Sequence, residues 1–187
     1  GGQTVPTAQR TVTGTGCVIV ADGSASNSIY PHVRVAGATI GKVVDLGIKD
    51  GSNMGAAMAP AAAHTIKTHL DEMGVGIDQY DLIITGDLGV FGSQMFLELC
   101  MDNGLDLREK HVDCGNIIFS KEQNVNCGGS GCGCSGSVLS AYLLKRMEAG
   151  DFKRAIFMAT GALMSPDSSM QGDSIPGIAH AIVLERD

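Results

Sequence analysis

The sequence is short of charge, and of positive charge above all. Charged residues make up 18% of its 187 residues, and 13 Lys and Arg stand against 20 Asp and Glu, a net charge of −7. No basic stretch is longer than a Lys-Arg pair, so nothing here could track a phosphate backbone, which argues against nucleic acid as a partner. Long apolar runs are missing too. None approaches the roughly 18 residues that a membrane helix needs, and the glycine-rich start lacks a charged head followed by an apolar stretch, so any membrane role is expected to run through other proteins. Internal repeats and low-complexity linkers are absent. What remains is a chain that is 44% hydrophobic, suited to one α/β domain with a real core. Its six cysteines, three bunched and the rest scattered among apolar residues, fit reduced thiols better than a disulfide framework. The chain starts without methionine, and a fragment is expected.

Residues 1–10 read as a loop, and the β-branched residues 11–21 ("TVTGTGCVIVA") as a strand pairing antiparallel with a second strand over residues 32–46. Residues 52–74 form an alanine-rich helix capped by Ser52 or Asn53 and stopped by Gly74, with Pro60 near a first turn or at a kink. "DLIITGD" (81–87) has the profile of a strand buried on both faces, after which functional loops often lie. Ser93 opens a second helix ending at Gly104, "HVDCGNIIF" (111–119) reads as a third core strand, and an amphipathic helix runs from Ser135 to Gly150. A buried strand (154–162), a loop (163–176) and a last strand complete the order. Such alternation implies a mixed, mainly parallel sheet finished by an antiparallel hairpin.

The most unusual stretch is "CGGSGCGCSGS" (127–137), with three cysteines and five glycines. Residues 131–136 formally match GxGxxG before a helix, but no acidic residue closes the next strand, so a dinucleotide site is disfavoured. A close-packed turn is preferred, with capture of a small anion kept open. Cys127, Cys132 and Cys134 with Cys114 fit no common metal framework and read as packing. No GxSxG nucleophile turn occurs. His64 and His69 are five apart on a helix and are expected at the surface or rim. His180 reads as a core or pocket-wall residue. His111, Asp113 and Cys114 are the one grouping of imidazole, carboxylate and thiol, though neighbours alternate across a strand. Asp87 reads as a turn cap or a pocket carboxylate.

The stretches "YDLIITGDLG", "NMGAAMAPAAAHTIK", "HVDCG", "CGGSGCGCS", "ATGALMSP" and "IPGIAHAIVLER", in this order, closely resemble the stage V sporulation protein AD family, over residues 11–186. That resemblance implies an α/β, thiolase-like half: a mixed five-stranded sheet covered by helices, β-α-β-α-β-α-β-β, preceded by one strand of an N-terminal half. Residues 1–31 would be the leading loop and that strand, and residues 32–187 the C-terminal thiolase-like domain, with a pocket between the halves. Condensing enzymes of this superfamily would hold a catalytic His after "DLIIT" and an Asn before the last long helix. This chain has Gly86-Asp87-Leu88 and Gly129-Ser130-Gly131 there, which cannot supply both donors to a developing enolate.

The resemblance therefore implies a non-catalytic binding module of a sporulation complex that takes dipicolinic acid, alone or with calcium, into the spore. The alternative it leaves is a degenerate condensing or acyl-transfer enzyme. Asp87, Leu88, Gly129, Ser130, Gly131 and Cys132 are the expected ligand-binding residues, with His111, Met164 and His180 as pocket wall and Lys42 as a weaker counter-charge. No cofactor and no resident metal are expected. The implied partners are the N-terminal half, other proteins of the spore dipicolinate channel and a second copy of the chain. The implied place is soluble but peripheral at the inner membrane of the forespore. Residues 11–21 and the inner faces of the core helices are expected to be exposed in an isolated half, and to be covered by a partner.

Overall fold

The computed structural model describes residues 5–23 and 33–187. The expected boundary between residues 31 and 32 lies outside the described residues. Five strands form one sheet: β2 (Val33–Thr39), β3 (Leu82–Thr85), β4 (His111–Asp113), β6 (Arg154–Ala162) and β7 (Gly177–Arg186), in the spatial order β2-β7-β6-β3-β4. β3 lies parallel to β4 and β6, whereas β7 is antiparallel to both β6 and β2. The sheet is thus evenly mixed rather than mainly parallel, because β2 joins it through β7.

The expected pairing of residues 11–21 with that second strand does not form. Only β1 (Arg10–Thr11) is a strand, and it runs parallel to the two-residue β5 (Gly129–Ser130). Beyond it the glycines let the chain lie directly on a helix: a Cβ on Gly16 would stand 1.8 Å from the Gly136 carbonyl oxygen. Val18, Ile19 and Val20 are left exposed, Ile19 to 95%.

α1 (Met54–Met73) starts where Asn53 accepts the Ala56 N–H and stops where Gly74 adopts φ 62°, so both predicted signals operate. Pro60 sits inside the helix, and the alanine-rich body is buried on most sides. α2 (Gly89–Asp102) crosses it closely at Gly55 and Gly92, where a Cβ on either glycine would fall within 3 Å of backbone. α1 and α2 cover one face of the sheet, packing on Ile83, Ile156, Met158, Ala179, Ala181 and Val183. The other face carries Leu82, Ile84, Ala155, Phe157 and Leu184 against Val138, Leu143 and Met147. β3 therefore alternates between two cores, as its unbroken apolar run requires.

The helix expected from Ser135 begins at Cys132. It runs as α4 (Cys132–Val138), a π-turn (Leu139–Leu143) and α5 (Leu144–Ala149). Ser140 Oγ bonds the Gly136 carbonyl at 2.9 Å just where the ladder widens, a common companion of such a bulge. Residues 111–119 are not one strand. After Asp113 the chain turns into α3 (Cys114–Ile117), where Gly115 lies so close to the Gly129 carbonyl that a Cβ would be 2.4 Å away. The loop at 163–176 contains α6 (Pro166–Gln171), capped reciprocally by Ser165 and Ser168 and opened by proline.

Candidate functional site

The C-terminal ends of the parallel strands β3, β4 and β6 converge on two carboxylates. Asp87 follows β3 and is held on both oxygens: Oδ1 accepts from the Thr160 hydroxyl at 2.8 Å, and Oδ2 from the Gly131 N–H at 2.7 Å. Its own N–H bonds Thr160 Oγ1 at 3.0 Å. Its carbonyl and that of Gly129 share the Gln9 side-chain amide, each at 2.8 Å. Asp87 thus ties β3, β6 and the glycine turn together, and Gln9 stitches the leading segment to the same point. Gly131 can present its N–H only because its φ of 94° is open to glycine. Burial raises the Asp87 carboxyl above its usual range, against the lowering effect of these two donors.

Asp113, at the end of β4, is 1% exposed. Its Oδ2 accepts from Thr85 Oγ1 at 2.7 Å and the Leu88 N–H at 2.8 Å, and its Oδ1 from the Gly89 N–H at 3.0 Å. A carboxylate from another strand thereby caps the first turn of α2, which explains why that helix begins at Gly89 and not at Ser93. Burial pushes Asp113 up to about 6 despite these donors. Thr85 has spent its proton on Asp113, so His111 Nε2, 2.9 Å away, must donate to Thr85. His111 is held low, at about 4, by burial, and so is neutral with its Nε2 protonated. Its ring packs tilted against Phe96 of α2, at 46° with the centroids 4.8 Å apart.

Strand alternation separates the remaining member of that grouping. Cys114 faces the opposite core, where burial raises its thiol strongly, and no Cys-His pair forms. Cys134 is likewise pushed up to about 12 by burial. Cys127 and Cys134 are buried, whereas Cys132 is exposed. Among the described residues no group of three or more His, Cys, Asp or Glu side chains could hold a metal ion.

The other expected site residues disperse. Gly131 bonds Asp87 directly, Gly129 is tied to it through Gln9, and Ser130 pairs with β1, but Leu88 is fully buried in the core beneath α1 and α2 and its side chain forms no open wall. Met164 is 44% exposed beside Gly51 on an outer loop. His180 is exposed, its Nδ1 accepting the Gly41 N–H at 3.1 Å: it shares a face of β7 with Ile182 and Leu184 but lies outside the core that those residues join. His69, expected at the rim, is fully buried between Thr39 and Tyr80, at 2.8 and 2.7 Å. Thr85, Thr160 and Gln9 carry no motif in the sequence. The available signal for Thr85 and Thr160 is a lone hydroxyl at the end of an apolar strand.

An apolar cavity of about 340 Å³ opens beside this edge, lined by Ile117, Ile118, Ser137, Val138, Ala141 and Tyr142. No helix among the described residues is long and apolar enough to cross a membrane.

Comparison with known proteins agrees with the sequence resemblance. Two solved structures are similar to the chain over 83% of its length and 30% of their own. They are the Bacillus anthracis acetyl-CoA acetyltransferase (18% identity, TM-score 0.45) and the human mitochondrial 3-ketoacyl-CoA thiolase (19%, 0.41). Stage V sporulation protein AD of Bacillus subtilis (strain 168) is 44% identical over 186 residues, and the chain spans 53% of its length. The family model for stage V sporulation protein AD matches residues 1–185. The chain therefore belongs to the stage V sporulation protein AD family.

Proposed function

We propose that this chain is one half of a non-catalytic binding protein of sporulation, whose ligand is dipicolinic acid, alone or as its calcium complex. The ligand lies where Asp87 meets the Gly129-Ser130-Gly131 turn, close to exposed Cys132. One observation carries the reading: Asp87 and the turn are bonded to each other rather than poised for chemistry. Both Asp87 oxygens are occupied by Gly131 and Thr160, at 2.7 and 2.8 Å. The nearby Cys134 thiol is held protonated, and His111 is neutral and engaged with Thr85. A general base or nucleophile needs a free, suitably tuned group, and these are neither. The turn is a rigid rim, which suits recognition.

The exposed residues Val18, Ile19 and Val20 and the apolar cavity at Ile117 and Tyr142 support a covering partner, namely the remaining half that longer relatives carry. Association with other proteins of a spore uptake complex, at the forespore membrane, belongs to the same proposal. Its test is calorimetric titration of the full-length family protein with dipicolinate and with calcium dipicolinate. Saturable heat that is lost in Gly131→Trp is expected, and the absence of saturable heat with both ligands at millimolar concentration overturns it. Labelling of the full-length protein by an acyl-CoA would instead favour a degenerate acyl-transfer enzyme.

A further inference from the structure

The opposite end of the sheet holds a second polar site. Arg34 and Arg154 are both register partners of Glu185, so one row across β2, β7 and β6 reads Arg-Glu-Arg. Side chains directly opposite each other share a face. The one carboxylate between the two guanidinium groups pairs with Arg34, whose Nη2 lies 2.9 Å from Glu185 Oε2. Arg154 has no carboxylate within ion-pair distance among the described residues. Its guanidinium carbon stands 5.1 Å from the Tyr80 ring centroid, which holds the group in place. Its Nε is buried without a hydrogen-bond partner.

Gln79, Asp81, Lys153, Arg154 and Glu185 line a polar cavity of about 230 Å³ here. Asp81 does not neutralise it by pairing with a side chain. Its Oδ2 accepts the backbone N–H groups of Lys153 at 2.7 Å and Arg154 at 2.9 Å, fixing the two residues side by side. Among the described residues, Lys153 and Arg154 are therefore left without an ion-pair partner, although the Asp81 and Glu185 carboxylates also line the cavity. A buried charged donor left unmade costs about 1–3 kcal/mol or more, so an acceptor of matching charge is favoured. The cavity is below the roughly 300 Å³ of drug-sized pockets, which selects a small group.

We propose that this cavity is an oxyanion site, taking a phosphate- or carboxylate-sized anion between Arg154 and Lys153, with the Gln79 amide as a neutral donor. It is separate from the Asp87 edge. Asp81 and Asp87 flank the same strand six residues apart, about 20 Å in extended chain. Arg supplies a planar fork for two oxygens and Lys a point charge, so the pair accepts either anion class.

The test follows the Arg154 Nε–H resonance of the ¹⁵N-labelled chain during titration with inorganic phosphate, with acetate, and with chloride at matched ionic strength. A saturable shift with phosphate or acetate, but not chloride, is expected, and the more effective anion identifies the ligand as phosphoryl or carboxylate. Lys153→Gln, on an exposed side chain, should weaken binding about tenfold, the worth of one charge-assisted contact. Arg154→Lys, which keeps the charge but loses the fork, should weaken it further, followed then on the Lys153 amide. Absence of a saturable shift with both oxyanions, or an unchanged affinity in Lys153→Gln, overturns the proposal.

Discussion

Replacing Asp113 tests whether a buried carboxylate organises this edge of the molecule. Asp113→Ala removes the acceptor of three donors, the Thr85 hydroxyl and the Leu88 and Gly89 N–H groups, all within 3.0 Å. Thr85 is fully buried and Asp113 is 1% exposed, so water cannot readily replace the lost bonds. At about 1–3 kcal/mol for each buried donor left unmade, and with partial relaxation, the loss should be about 3–6 kcal/mol. That is a large share of the roughly 5–15 kcal/mol that stabilises a domain. Asp113→Asn keeps the shape and two of the three bonds, and should cost less. The pH dependence separates the charge from the geometry. Burial raises Asp113 to about 6 in the folded chain, above the 3.8 of an ordinary Asp, so the folded state holds this proton longer than the unfolded one. Its contribution to stability is fully present below about pH 4 and is lost as pH rises through about 6. Asparagine has no such proton. The cost of Asp113→Asn should therefore be greatest near pH 4 and smaller by about 2–3 kcal/mol at pH 7. Asp87 shifts in the same direction but is present in both proteins, so it cancels to first order. Urea unfolding followed by circular dichroism at the two pH values measures the difference. A cost that stays constant or grows toward pH 7 would refute the dominance of burial, and an Asp113→Ala cost below about 1 kcal/mol would refute the capping role.

Other consequences are simpler to read. Asp87→Ala frees the Gly131 N–H and the Thr160 hydroxyl, and should speed amide exchange at Gly131 about tenfold or more; unchanged protection would mean that the turn holds itself. Tyr80→Phe leaves the fully buried His69 without its 2.7 Å partner, and should cost about 1–3 kcal/mol, or about 3–10 °C in melting temperature by calorimetry. In the native chain Cys17 and Cys132 should react rapidly with a thiol reagent. Cys100, Cys114, Cys127 and Cys134 should react only after unfolding, and rapid modification of Cys134 would contradict its burial.

The turn at 127–137 shows how residues acquire meaning only in three dimensions. Its glycines are legible as a place of close approach, and the approach is real: a Cβ on Gly128 or Gly129 would stand within 3 Å of a neighbour. What approaches is not legible. Asp87 lies 44 residues before Gly131, and Gln9 lies 120 before Gly129. Neither separation leaves a local trace, since a side-chain hydrogen bond across strands imposes no period on the sequence.

Local physics alone determined much of this protein. The apolar run of residues 82–85, the alanine-rich helix with Asn53 before it and Gly74 after it, and the β-α alternation are written in neighbouring residues, because caps, periodicity and two-sided burial act over a few positions. The family resemblance rests on the same kind of contiguous text. Tertiary structure decided the rest. It laid Gly14 and Gly16 against α4 instead of pairing their segment with β2, it buried His69 and exposed His180, and it made Asp113 the cap of a helix that begins elsewhere in the chain. Each of these turns on which strands are neighbours, and a strand's neighbours are chosen by the packing of the whole sheet rather than by its own residues.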